Sequence, residues 1–263
     1  MILIALAAAT APTTVQGHAT AIAAAERSFA RRAGEGQWRA FRATAAPDAV
    51  LFVPTVKPVT QALADATEPP VPVMWWPATI APSCDGTLGV STGPWVRAAT
   101  AGTGTYTTIW RRTAIGPGAG GYRWQLDHGR TTPRLVAAGN TPATLAPVCG
   151  GASGSAAREA AYEQLAASIS ASAGSQGAAA FASDAAPDIL VQAEGAMPAR
   201  GPAALPQTRF GAALASGHSD DWTLAWASRA LIGGETGAHD LRVWQWRGAA
   251  GWKLVIYETV GLK

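Results

Sequence analysis

Lysine is almost missing from this chain. Of 263 residues only Lys57, Lys253 and Lys263 are lysines, and the rest of the positive charge behind a formal net charge of +3 is arginine. The arginines are scattered, with the densest points at Arg31-Arg32 and Arg111-Arg112. Nucleic-acid binding needs clustered cations that displace counterions from phosphates, so no nucleic-acid partner is expected. Charge of either sign is sparse, 14% of residues against about a quarter in an ordinary protein. Long hydrophobic runs are also lacking. The longest candidate, Met1–Ala9, is far shorter than the roughly 20 apolar residues a spanning helix requires, so no membrane insertion is expected. The four histidines, 18, 128, 218 and 239, form no pair at metal-ligand spacing, and neither cysteine has a His or Cys near it in sequence. That pattern points away from a metal site. No glycine-rich phosphate loop leads into a helix, and no cofactor is expected. The glycine-rich stretches at 102–104 and 115–121 read as hairpin loops. The segment GASGS at 151–155 lies among small residues rather than on a strand-to-helix turn, so it is no nucleophile elbow.

What the chain does have is alanine and tryptophan. Apolar residues make up 48%, much of it Ala, and 11 Trp stand against 5 Phe and 4 Tyr. A few large rings must therefore carry much of the packing. The opening MILIALAAATAPTTVQGHATA combines an apolar run with Gly17-His18-Ala19, a small-x-small triplet. It fits a signal peptide over 1–19 cut before Thr20, although no Lys or Arg precedes the run; the alternative is an ordinary N-terminal helix. The expectation is an exported protein, in the bacterial periplasm, with His18 lost on cleavage. In that compartment Cys84 and Cys149 are expected to bridge rather than stay as buried thiols. Closing a loop of this size stabilises by roughly 4 kcal/mol in the loop-entropy model.

The sequence also repeats itself. FRATAAPDAVLF from Phe41 matches FASDAAPDILVQ from Phe181, aligning Pro47-Asp48 with Pro187-Asp188. Thr87-Leu88 and Trp110-Arg111 match Thr223-Leu224 and Trp246-Arg247, and Trp124-Gln125-Leu126 matches Trp252-Lys253-Leu254. The order is kept while the offset shrinks, as duplication followed by loop shortening would produce. CGGASGSAAR, 149–158, reads as a linker between copies at 20–148 and 159–263. Each copy begins with a helix, 20–33 or 156–172. A short helix carrying Trp38 and Phe41 follows in the first copy, and AAPD closes it because the residue before proline disfavours helix. A strand comes next, AVLFVP or ILVQAE. Between 54 and 82 a proline-rich crossing leaves room for one short helix at TQALADA. Three β-rich runs end each copy: TLGVSTGPW, GTYTTIWRR and YRWQLDHG, then WTLAWASRAL, DLRVWQWR and GWKLVIYETV. Helices first and a meander afterwards is an α+β pattern, with helices packed on one sheet face.

Phe41, Pro47, Asp48, Leu88, Gly93, Trp95, Trp110, Trp124, Leu126 and His128 carry a resemblance to the NTF2-like (SnoaL-like, DUF4440-like) superfamily, once per copy. The resemblance implies two tandem cone-shaped (cystatin-like) domains, each with N-terminal helices packed on a curved antiparallel sheet around a pocket. It also implies possible docking of the two copies as an internal pseudo-dimer. Such folds serve as isomerases, dehydratases or cyclases and as non-catalytic modules, so function must be argued from the site.

Strand alternation puts Trp124, Leu126 and His128 on one face of YRWQLDHG, with Gln125 and Asp127 on the other. With the Trp face inward, His128 stands at the pocket mouth, and Tyr106, Thr108 and Trp110 line the neighbouring strand. Tyr106, Trp110, Trp124 and His128 are thus the ligand-binding candidates. His128 is the one catalytic candidate, needing a carboxylate from Asp48 or Asp85. The competing reading makes His128 structural and the Trp residues core, which the second copy favours by placing Ile256 opposite His128. Asp48 and Asp188 read as turn residues serving backbone amides. Three functions follow: an exported accessory protein binding a small apolar molecule, a structural or protein-interaction module, and an isomerase, dehydratase or cyclase using His128.

Overall fold

Helix α1 (Val15–Ala33) starts where the Thr14 hydroxyl accepts the Gly17 amide and ends over Arg31 and Arg32, whose charges suit the negative pole of a helix. The computed structural model describes residues 14–52, 55–100, 102–113, 121–151 and 153–262. The run Met1–Ala9 and the loop at 115–120 lie outside them. The expected cleavage point before Thr20 falls inside α1, whose first turns bury His18. Ile22, Ala25, Glu26, Phe29 and Ala33 recur at helical spacing and form its buried stripe. Helix α2 (Gln37–Thr44) has no capping side chain of its own; the Glu68 carboxylate accepts the Trp38 and Arg39 amides at 2.9 and 2.8 Å instead. A short α3 (Val59–Ala62) follows, and α4 (Ser155–Gln176) opens the second half, starting inside the stretch 149–158.

The first half supplies β1 (Ala45–Phe52), β2 (Val56–Pro58), β3 (Met74–Trp75) and β4 (Thr79–Pro82). It continues with β5 (Leu88–Arg97), β6 (Gly102–Arg112), β7 (Tyr122–Thr131) and β8 (Ala143–Thr144). They pair in the order β2-β1-β7-β6-β5-β4-β8, with β3 on β5. The second half supplies β9 (Ala185–Ala193), β10 (Ala199–Arg200), β11 (Arg209–His218), β12 (Leu224–Ile232), β13 (His239–Trp246) and β14 (Trp252–Val260). Their order is β10-β9-β14-β13-β12-β11, which repeats the first sheet strand for strand apart from β3 and β8. The protein is α+β, as expected, but its sheets are mixed rather than antiparallel. The AAPD strands β1 and β9 run parallel to the last strands β7 and β14, because each enters its sheet only after leaving the helical layer. The glycines at 102–104 are strand rather than loop. A Cβ on Gly104 would meet the Trp95 ring at 2.4 Å and the Arg130 carbonyl at 1.9 Å.

A bulge decides which way β7 faces. Ile109 pairs with Leu126 and Trp110 with Trp124, leaving Gln125 as the extra residue. Trp124 therefore belongs to the core under α1, whereas Leu126 joins the opposite face. The expectation that Trp124, Leu126 and His128 share a face is corrected by this insertion, since one added residue reverses the phase of a strand. Beneath α1, Phe29 meets Phe41, Trp75 and Trp110 edge-on at 4.7, 5.0 and 5.9 Å. On the other face Leu88, Val90, Ile109 and Leu126 form one buried cluster with Trp226, Val243 and Ile256, so the two sheets pack against each other.

Strand registers also correct the alignment of the halves. Val243 pairs with Ile256 and Trp244 with Leu254 around an equivalent bulge, and Leu254 lies beside Ala185 as Trp124 lies beside Ala45. Trp110 thus corresponds to Trp244 and His128 to Glu258, each two residues from the partner the sequence match suggested. Trp246 and Trp252, paired at the turn end of the β13–β14 ladder, make the wrong W-x-L alignment look right.

The halves meet at two matching turns. In Ser83-Cys84-Asp85-Gly86-Thr87-Leu88 the Asp85 carboxylate accepts from Ser83 and Thr87, and in Ser219–Leu224 the Asp221 carboxylate accepts from Ser219 and Thr223. Each turn then binds the other. The Asp85 amide donates to the Asp221 carboxylate at 3.1 Å, and the Asp221 amide donates to the Asp85 carboxylate at 2.9 Å. Thr223 and Thr87 hydroxyls accept the Cys84 and Asp220 amides in the same reciprocal way. Gly86 (φ +68°) has Trp222 (φ +53°) as its counterpart, the one non-glycine residue with positive φ among the described residues. At Gly86 the space of a side chain is taken by His18. The expected Cys84–Cys149 disulfide is present and ties this turn to the tail of the first half.

Candidate functional site

Between α2, α3, β3 and the helix-covered face of the first sheet lies a half-open cavity of about 470 Å³. Trp38 and Phe41 reach it from α2, Leu63 from the end of α3, Trp75 from β3, Trp95 from β5 and Leu51 from β1. Polar groups are few: Gln37, whose Oε1 accepts the Val73 amide, Arg97 at the rim, and Tyr106 and Asp127 from β6 and β7. Apolar walls with a few convergent polar groups are the usual make-up of a small-molecule site.

The electrostatics of that polar end come from burial. Glu26 sits wholly buried on α1, accepting the Trp75 indole at 2.6 Å, the Trp110 indole at 2.9 Å and the Ser91 hydroxyl. Burial raises its carboxyl above the ordinary range despite those three donors. Asp127 accepts the Thr108 hydroxyl at 2.8 Å and is pushed well above its ordinary value, first by burial and then by the Glu26 charge. Tyr106 rises for the same two reasons, and its buried hydroxyl has no hydrogen-bond partner. The Tyr106 hydroxyl and the Asp127 carboxyl, whose proton is held more tightly than in water, thus stand together on the wall of an apolar cavity.

His128 borders this cavity, but its ring turns to the second sheet. Nδ1 lies 2.8 Å from His239 Nε2, and Nε2 lies 2.7 Å from Glu258 Oε2. His239 Nδ1 faces the Gly237 carbonyl and so carries hydrogen, leaving Nε2 to accept from His128. The contact between His128 Nε2 and the Glu258 carboxyl then needs a shared proton to be attractive. Arg130 donates to Glu258 Oε2 at 2.6 Å, while Thr107 and Gln192 donate to Oε1. Burial alone would raise the Glu258 carboxyl, but Arg130 and His128 overcome it and hold it down at about 2. Burial, with His128 next, lowers His239 to about 3. The catalytic candidate is therefore a member of a buried inter-sheet network.

The other candidates separate cleanly. Tyr106 lines the cavity as expected. Trp110 and Trp124 are fully buried behind it, their indoles committed to Glu26 and to the Phe41 carbonyl. Asp48 is exposed and accepts from Gln125, not from turn amides, and Asp85 belongs to the reciprocal turns, so neither carboxylate approaches His128. Sequence reasoning did not single out Glu26, and it put Asp127 on the strand face away from the pocket, whereas Asp127 lines the cavity. The first had a readable signal, an acid between Ile22 and Phe29 on an apolar helical stripe. The second was hidden by the bulge. Among the described residues no group of three or more His, Cys, Asp or Glu is placed to hold a metal, and no helix is long and apolar enough to cross a membrane. No family model matches the chain, and no curated protein matches its sequence.

Proposed function

We propose that the first-half cavity binds a small, mostly apolar molecule carrying a hydrogen-bond-accepting oxygen, and that the chain is an exported binding or accessory protein. The observation that carries this reading is the buried, unpartnered Tyr106 hydroxyl beside the Asp127 carboxyl in a cavity walled by Trp38, Phe41, Trp75 and Trp95. The unpartnered Tyr106 hydroxyl pays a desolvation penalty that an acceptor oxygen would relieve. The test is thermal unfolding with cyclic ketones and their matched hydrocarbons. Ketones should raise the melting temperature with concentration. Tyr106→Phe should weaken that binding about tenfold, the equivalent of one hydrogen bond to a buried group. Equal shifts from ketones and hydrocarbons, or ketone binding untouched by Tyr106→Phe, would refute it.

A second reading is favoured by the raised Asp127 carboxyl: acid/base turnover of the isomerase or dehydratase kind, with Asp127 in place of His128. It expects exchange of the α-hydrogens of a bound ketone in heavy water, seen by NMR and lost in Asp127→Asn. Ketone binding without exchange would leave the first reading alone standing.

The halves themselves are read as diverged tandem copies of one NTF2-like domain, docked as an internal pseudo-dimer. The shared strand order and the reciprocal turns support this. The disulfide supports an oxidising compartment such as the periplasm.

A further inference from the structure

The second half holds a cavity of its own, about 390 Å³, between α4 and strands β11, β12 and β13. Its apolar lining includes Leu165, Ala166, Ile169, Leu214 and Trp244. Its polar chemistry differs in kind from that of the first. The strand registers place Asp240 and Arg242 where the first half has Tyr106 and Thr108, so an acid–guanidinium pair replaces the hydroxyls. Arg242 is 4% exposed and lines the cavity. Its Nε donates to Asp240 Oδ2 at 2.6 Å, and its guanidinium lies over the Phe210 ring at 4.0 Å and 5.0 Å from that of Phe181. One terminal nitrogen, Nη2, is buried with no partner.

The acid next to it does not reach Nη2. Asp240 Oδ1 accepts the Arg229 amide at 2.8 Å, and Oδ2 is taken by Arg242 Nε. Arg229 also lines the cavity, its Nε donating to the Gly211 carbonyl and its Nη1 reaching Ser170 at 3.3 Å. Two guanidinium groups thus face this space against one carboxylate. A buried guanidinium nitrogen without an acceptor is costly, and a planar carboxylate is the group whose geometry suits it. One water molecule could serve Nη2, but it would leave the apolar walls and most of the volume empty.

We infer that the second-half cavity is a separate binding site for a small amphiphilic carboxylate, its head on Arg242 beside Arg229 and its tail along Leu165, Ile169 and Trp244. The site is independent of the first-half cavity in position and in charge. It draws anionic ligands where the other draws neutral ones.

Isothermal titration of the full chain with octanoate, using octan-1-ol as the uncharged match, tests this. Octanoate should bind at one site at least tenfold more tightly than octanol. Removing Arg242 outright would strip Asp240 of its partner and risk unfolding, so the decisive variant is Ala166→Phe, which fills the cavity and leaves the ion pair alone. It should abolish octanoate binding while keeping the wild-type circular dichroism spectrum. Trp38→Ala, in the other cavity, should leave octanoate binding unchanged. Equal affinity for octanol, octanoate binding that survives Ala166→Phe, or binding lost in Trp38→Ala would each overturn the assignment.

Discussion

Glu26 shows how one side chain can be structural and electrostatic together. It gives two buried indole N–H groups and the Ser91 hydroxyl an acceptor, and it raises the carboxyl of Asp127 nearby. Glu26→Ala should cost about 3 kcal/mol in urea unfolding, because it orphans buried donors as well as opening a void. Glu26→Gln keeps an acceptor and removes the charge. A carboxyl whose folded pKa is raised contributes stability that is full below its unfolded value of 4.5 and is lost as pH rises through the folded value. The stability of Glu26→Gln relative to the wild type should therefore improve as pH rises above 4.5. A difference independent of pH would show Glu26 charged and fully compensated. Glu26 was legible in the sequence, for the reason that an acid rarely sits on an apolar helical stripe without a purpose. Asp127 was not, because its orientation depends on a register that only the neighbouring strand reveals.

At the scale of elements, β7 carries two functions on two faces, and Gln125 sets the phase between them. Before the bulge Tyr122 and Trp124 are buried in the first-half core; after it Asp127 lines the cavity while Leu126, His128 and Arg130 are buried on the inter-sheet side. Deleting Gln125 should swap those faces over part of the strand, forcing Asp127 against Ile256 or Trp124 out of the core. The deletion should prevent cooperative thermal unfolding, whereas Gln125→Ala, which keeps the count, should cost under about 1 kcal/mol. The meander strands were readable because aromatic and β-branched residues crowd them. Strand β11 was missed, since FGAALASGH offers mostly small residues and little β-propensity; it is held by pairing with β12. The parallel placement of β1 and β9 was missed too, because pairing partners far apart in sequence leave no local trace.

The whole molecule is joined through buried polar groups, so its response to acid should be strong. Glu258, held at about 2 against 4.5 unfolded, contributes stability present above pH 4.5 and lost as pH falls toward 2. His239, at about 3 against 6.5, stays neutral when folded and opposes folding as pH falls from 6.5, by up to about 1.4 kcal/mol per pH unit. Glu26 and Asp127 act in the opposite sense, so the clean measurement is a difference. His239→Gln should lose less stability than the wild type between pH 6.5 and 3, and parallel curves would contradict the assignment. Reducing Cys84–Cys149 should lower stability by about 4 kcal/mol, read as a drop in melting temperature with dithiothreitol.

The paired turns at Asp85 and Asp221 have a consequence for how such a chain could come apart. Each turn presents the donors and acceptors that the other needs, so a first half on its own would find a fitting mate in another first half. The surface beside that handshake would object. His128 and Arg130 would then both face a second His128, with no Glu258 to reconcile them. Solitary first halves would greet one another and be driven apart in the same encounter, which makes physical linkage of the unlike halves the condition for a settled partnership.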